Sequence, residues 1–280
     1  FSTIRTFKCH RSSILSINTD GEYFATASID GTVVIGSILD PSEIMAYDFK
    51  RPIHYVVLDQ NYRSTKTFVS GGMAGEVILS QRNWLGNRVD VRLDKGKGPI
   101  VGIYTISDII FWMNDTGITF FSIPSKTKLL NVPFPVNQDD FTRPDLYWPR
   151  VHFPEVDRVI VCWGKHVWTF KISLARTNEP ANNLGSILSS AASSLRALPD
   201  KKVEQEHHFK LNILVAGVAS FKDDQLLCLG LQPEPMEKSK IRCSGPPELK
   251  VIDMVTGEEI NNDEVATKNY QNLSLNDYHL

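Results

Sequence analysis

FATASIDGTVVIGSI, residues 24–38, decides how the whole chain is read: an apolar strand, a tight turn built on Asp30 and Gly31, then a second apolar strand. FVSGGMAGEVILSQR (residues 68–82) and IIFWMNDTGITFFSI (residues 109–123) superimpose on it, with steps of 44 residues from 24 to 68 and 41 residues from 68 to 109. That spacing is the period of one four-stranded blade of a β-propeller. A fourth unit is visible in RVIVCWGKHVWTFKISL (158–174) and a fifth in ILVAGVASF, LLCLGLQ and ELKVIDMVTGEEI, within 213–260. The expected fold is therefore all-β, a propeller of about five blades over residues 1–280. It is read as incomplete at both ends: FSTIRTFK (1–8) as the outer strand of a blade otherwise missing, and residues 261–280 as the start of another unit.

The first unit also places His10, Ser28 and Asp30 at the spacing of the His, Ser/Thr and turn Asp of WD-repeat blades, so the segment resembles that family. Gly36 stands where such blades carry Trp, Ala74 stands where Asp30 does, and Asp115 retains the acid. The trio is read as a structural hydrogen-bond network tying loop to strand, not as a catalytic triad.

Composition narrows the function. A formal net charge of −2, with no run of Lys and Arg, leaves no basic stripe for nucleic acid. Cys9, Cys162, Cys228 and Cys243 are far apart, lack CxxC pairing or histidines at metal-ligand spacing, and read as reduced thiols of a cytosolic protein. No apolar run approaches the roughly 18 residues needed to span a bilayer. Glu204, Glu206, His207 and His208 read as the end of a solvated linker rather than a metal cluster, and Lys95 to Pro99 as a connection rather than a phosphate loop. The innermost strands, ILSINT, IHYVVL, IVGIYT and ILVAGV, offer almost none of the carboxylates or histidines a propeller hydrolase would need. The expectation is a protein without catalytic residues, metal, cofactor or small-molecule substrate.

One stretch breaks the β pattern. Residues 175–209 form an insertion in which LGSILSSAASSLRAL (184–198) has helical periodicity, giving an amphipathic helix over about 182–198. Leu184, Ile187, Leu188, Ala191, Leu195 and Leu198 fall on one face; Ser186, Ser189, Ser190, Ser193 and Ser194 cover the other. A wet face of serines instead of Glu and Lys gives little electrostatic attraction to anionic lipid. Adhesion would then come from Leu and Ile entering packing defects, which curved membranes offer and flat ones do not. Phosphorylation of the serines, at about −1.5 to −2 charge each, would oppose binding. The same sequence also suits a helix packed on the propeller rim or an unstructured linker.

Longer landmarks sharpen the resemblance. GGMAGEVILSQRNW (71–84), LLNVP (129–133), TRPDLYW (142–148) and CWGKHVW (162–168) occur in the order seen in the N-terminal propeller of the vacuolar protein sorting-associated protein forty-one family, fungal type, which the chain resembles over nearly its whole length. The resemblance implies a scaffold subunit of the HOPS tethering complex. Its partners would be other tethering subunits, a Rab-family GTPase, a vesicle adaptor complex and a curved lipid surface. It implies a cytoplasmic protein held peripherally at endosome and vacuole or lysosome membranes, acting in transport and fusion. The rival reading is a protein-binding propeller of a coat or adaptor platform whose helix packs on its own rim.

Overall fold

A computed structural model describes residues 2–3, 5–135, 148–174, 201–232, 245–266 and 275. Five antiparallel four-stranded sheets follow one another along the chain. The first holds β1 (Ile14–Thr19), β2 (Tyr23–Ser28), β3 (Thr32–Ser37) and β4 (Ile44–Asp48); the second β5 (Ile53–Leu58), β6 (Phe68–Gly72), β7 (Glu76–Arg82) and β8 (Arg88–Lys95). The third holds β9 (Gly102–Ile106), β10 (Ile109–Asn114), β11 (Gly117–Ser122) and β12 (Thr127–Val132); the fourth β13 (Arg150–Glu155), β14 (Arg158–Trp163), β15 (His166–Leu174) and β16 (Lys201–Lys210). The fifth holds β17 (Leu214–Lys222), β18 (Gln225–Leu231), β19 (Glu248–Asp253) and β20 (Glu259–Glu264). Each sheet is a meander, its strands A to D paired in chain order. The superimposed segments are the B–C hairpins β2–β3, β6–β7 and β10–β11.

Stacking of the sheets explains why B and C strands read as unbroken apolar runs. In β10, Ile110 and Trp112 enter the layer shared with Val69, Val77 and Leu79 of the second sheet. Phe111 and Met113 enter the layer shared with Val159, Trp168 and Phe170 of the fourth. A strand covered on both faces has no wet side to be polar. The A strands meet on the inside, β1 with β5, β5 with β9 and β13 with β17.

Two ends of the stack differ in their turns. B–C turns pack against the connections from D to the next A: Gly31, at φ 86°, leaves 3.0 Å between a would-be Cβ and the Arg51 backbone, so the left-handed turn and the close approach both require glycine. At the opposite end, A–B and C–D turns of neighbouring sheets are joined by ion pairs, Arg63 with Glu22 at 3.5 Å, Lys66 with Glu43 at 3.3 Å, and Lys201 with Asp108.

Three expectations change, and one strand was not expected. Residues 201–209 are not linker: they lie in β16, which pairs along β15 from Leu174↔Lys201 to His166↔Lys210, so the span between strands is 175–200. Glu204 to His208 therefore belong to an outer strand, exposed on one face, which is why their polarity resembled a linker. Residues 261–264 complete the fifth sheet as part of β20 instead of opening another unit. The described residues of 1–8 form no strand; Arg5 donates to the Ile38 and Leu39 carbonyls (2.9 and 3.4 Å) and Phe7 packs on Phe24, lying across the first sheet. Finally, β13 went unread, because Pro154 interrupts its pattern.

Candidate functional site

The six apolar positions Leu184, Ile187, Leu188, Ala191, Leu195 and Leu198, and the serines 186, 189, 190, 193 and 194, all lie outside the described residues. What the structure supplies is the point of departure. Leu174 and Lys201 face each other at the C–D end of the fourth sheet, and residues 175–200 leave from there.

His10 Nδ1 lies 3.7 Å from Asp30 Oδ2, and the hydroxyls on the imidazole are those of Thr26 and Thr32. His10 Nε2 lies 2.6 Å from Thr26 Oγ1 and Nδ1 lies 2.8 Å from Thr32 Oγ1. Asp30 accepts from the Arg11 N–H at 2.7 Å, the Thr32 N–H at 2.9 Å and the Thr32 hydroxyl at 2.6 Å. Ser28, the sequence-based third member, instead accepts the Asp30 N–H at 3.2 Å. Thr26 and Ser28 are both buried on the same face of β2, one strand period apart, so spacing alone could not separate them. In the third sheet the analogue of Asp30 is Asn114, not Asp115: Asn114 Oδ1 accepts the Thr116 N–H at 2.9 Å and its hydroxyl at 2.5 Å, the same Asx geometry.

Burial alone would raise the Asp30 carboxyl, but the donors from Thr32, Arg11 and Ser28 outweigh it and hold the group far below the usual carboxylate range. A native pKa below the unfolded one stabilises fully above about pH 4 and is lost as pH falls through the native value. Asp30→Ala should cost about 2–3 kcal/mol by removing hydrogen bonds to a shielded charge. Asp30→Asn should flatten the acid limb of the stability curve below about pH 4, measured by denaturant titration at several pH values. An unchanged acid limb would contradict the assignment.

At the B–C end, A strands of neighbouring sheets frame a cleft of about 460 Å³ lined by Leu15, His54, Tyr55, Met73, Tyr104 and Arg150 among others. Burial pushes both tyrosine hydroxyls up, and pulls His54 down against an opposing hydrogen bond at Ile100, so all three are neutral at pH 7. Burial also pulls Arg150 down, opposed by Tyr104 and Tyr55. Its guanidinium donates to the carbonyls of Ala216 (2.6 Å), Trp148 (3.2 Å) and Leu275 (3.4 Å), tying the fourth sheet to the fifth. Apolar walls, phenols and a carbonyl-bound cation suit recognition; the lining residues include no carboxylate to act as a base. Tyr55 and Tyr104 were legible as apolar-strand residues, whereas Arg150 was hidden with β13.

Cys162 and Cys228 are buried between the fourth and fifth sheets as free thiols, and burial pushes the Cys162 thiol up. Among the described residues, no three His, Cys, Asp or Glu side chains are grouped to hold a metal, and no helix is long and apolar enough to cross a membrane.

Residues 1–280 match the family model Beta-prop_Vps41, "Vps42 beta-propeller". The chain belongs to the Vps41 β-propeller family. It is 51% identical over its whole length to vacuolar protein sorting-associated protein 41 of Saccharomyces cerevisiae, covering 34% of that protein. It is 31% identical to the Schizosaccharomyces pombe protein, over 99% of this chain and 30% of that one. The Homo sapiens homolog is 28% identical over 95% of this chain, which covers 29% of it. The chain thus spans about a third of these relatives. Among solved structures it is similar to the Cps50 (Swd1) β-propeller domain of Myceliophteria thermophila (TM-score 0.57, 14% identity, 93% of this chain and 75% of that one). The WD40 β-propeller of Doa1 gives 0.52 at 14% identity, over 93% of this chain and 71% of that one. These two show the fold; the Vps41 relatives place the chain in a vacuolar protein sorting family.

Proposed function

We propose that this propeller is a non-enzymatic interaction module of a vesicle-tethering subunit, working in endosome- and Golgi-to-vacuole transport and membrane fusion. The observation that carries the reading is 51% identity, across the full chain, to a vacuolar protein sorting-associated protein. The partners are other tethering subunits, a Rab-family GTPase and a vesicle adaptor complex, and the protein is cytoplasmic and peripheral to endosome and vacuole membranes. In this reading residues 184–198 form a curvature-sensing helix whose Leu and Ile enter lipid packing defects, and phosphorylation of its serines releases it.

Flotation with neutral and anionic vesicles of decreasing radius tests the sensor. The chain should float with vesicles of small radius and not with large ones. Ile187→Asp with Leu188→Asp should abolish the size dependence, and glutamate at serines 186, 189, 190, 193 and 194 should weaken capture by anionic vesicles. Equal capture at every radius by the parent and the double-Asp chain would remove the sensor. The cleft around Tyr55, Tyr104 and Arg150 favours a second reading, a protein-binding platform whose helix packs on its own rim. Hydrogen exchange of residues 180–200 that is unchanged by small vesicles would support it.

A further inference from the structure

Of the six large apolar side chains that are more than 60% exposed among the described residues, five lie at the A–B and C–D end: Trp84, Val156, Leu39, Leu174 and Leu85. The first of these is 91% exposed, an unusual place for an indole on a soluble surface. It stands at the tip of the C–D hairpin of the second sheet, whose backbone is fixed by hydrogen bonds. Asn83 Oδ1 accepts the N–H groups of Leu85 (3.0 Å) and Asn87 (2.9 Å), Gly86 adopts φ 80°, and its N–H donates to the Asn83 carbonyl at 2.9 Å. The tip, RNWLGNR (82–88), carries two arginines and no carboxylate. Arg88 is committed to Asp90 and lies over the Tyr47 and Phe49 rings. Arg82 meets no carboxylate among the described residues; its contact is the Met45 sulfur at 3.3 Å, in a groove of about 200 Å³ beside the tip.

We infer that the Trp84–Leu85 hairpin is an interfacial anchor for an anionic bilayer. Trp84 and Leu85 enter the boundary between headgroups and acyl chains, and Arg82 takes a lipid phosphate. An indole sits stably at that depth because its ring is apolar and its N–H remains within reach of the headgroups. A preformed turn avoids the ordering cost that a helix folding on the surface must meet. The cationic tip gives charge complementarity to lipid, and it projects from the same end of the stack as Leu174 and Lys201. The inference rests on the reading that this chain meets a membrane; it does not depend on residues 184–198.

Tryptophan emission reads the contact directly, since Trp112, Trp163 and Trp168 are buried and Trp148 lies at the opposite end, beside the cleft. Small phosphatidylcholine/phosphatidylserine vesicles should shift the emission of the 280-residue chain to the blue, and Trp84→Ala should abolish the shift. Trp84→Ala with Leu85→Ser should lower vesicle partitioning on the order of tenfold, with thermal unfolding unchanged because both side chains are exposed. Arg82→Gln should weaken binding to anionic vesicles only. Emission that does not move, or flotation unaffected by the double substitution, overturns the inference and leaves the tip to a protein contact. Ile187→Asp with Leu188→Asp separates the two readings: a retained Trp84 shift supports the anchor whatever becomes of the helix. Loss of capture in that variant but not in the hairpin variant overturns the anchor alone.

Discussion

Trp112→Ala is expected to lower the unfolding free energy by about 3–5 kcal/mol, close to the upper end for a single core truncation. The indole is fully buried in β10, in the layer between the second and third sheets, against Val69, Val77 and Leu79 on one side and Phe121 on its own sheet. Removing it loses the transfer free energy of the ring and leaves a cavity in a layer whose walls are two hydrogen-bonded sheets that cannot easily collapse inward. A polar loss adds to this. Trp112 Nε1 donates to Asp94 Oδ2 at 3.0 Å, and Asp94 also receives Lys128 at 3.3 Å, so the indole is the neutral half of a link from the third sheet to the β8 edge of the second. Trp112→Phe keeps most of the volume and loses that hydrogen bond, and should cost appreciably less. Urea denaturation of the three chains gives the comparison. A loss below about 1 kcal/mol for Trp112→Ala would contradict the packing described here.

The second large effect concerns Lys250, whose side chain is 2% exposed in β19. Its ammonium donates to Glu259 at 2.5 Å and pairs with Glu248 at 3.0 Å. Burial pulls the amine pKa down, yet these two carboxylates outweigh it and leave the pKa raised. Replacing both Glu248 and Glu259 with Gln should cost about 3–5 kcal/mol, because a buried charge then has no counter-charge. Lys250→Met should cost no more than about 1.5 kcal/mol: the charge disappears and the volume is nearly kept. Glu248 meanwhile retains Gln232 and Asn262 as donors. The pH dependence separates the cases in sign. In the parent chain the native pKa lies above the unfolded one, so the contribution of Lys250 is complete below about pH 10 and falls as pH rises through the native value. In the double-Gln variant burial dominates, the native pKa falls below the unfolded one, and stability should rise toward alkaline pH as the amine neutralises. Parallel pH profiles for the two chains would rule out this account.

Most of the blade pattern was legible because it follows from period and turn chemistry. The B–C hairpins announce themselves by apolar runs flanking Asp30-Gly31, Ala74-Gly75 or the Asn114 to Gly117 turn. The outer strands were not legible. β16 and β20 are largely exposed, so residues 201–209 read as linker and NNDE (261–264) as the start of another unit. A D strand has one wet face and an unpaired edge, and tolerates charge where a B or C strand cannot. The His10 network shows the same limit at one residue's scale. Thr26 and Ser28 point to the same face of β2, and only the course of residues 5–12 across that face selects Thr26 as the partner of the imidazole.

The class of the fold, the order of its blades and the family are legible in the amino-acid sequence, as is one stretch, 184–198, in which Leu, Ile and Ser recur at helical spacing. All of these are encoded locally, in side-chain alternation, turn residues and short-range spacing. Only the tertiary structure decided which strand ends share a face. It brought Tyr55, Tyr104 and Arg150 to one end from three different sheets, and set Trp84 and Leu85 at the other, where residues 175–200 also depart. Proximity across sheets depends on how the blades stack and on the hand of the meander, a property of the packing of layers that no window of a single blade contains.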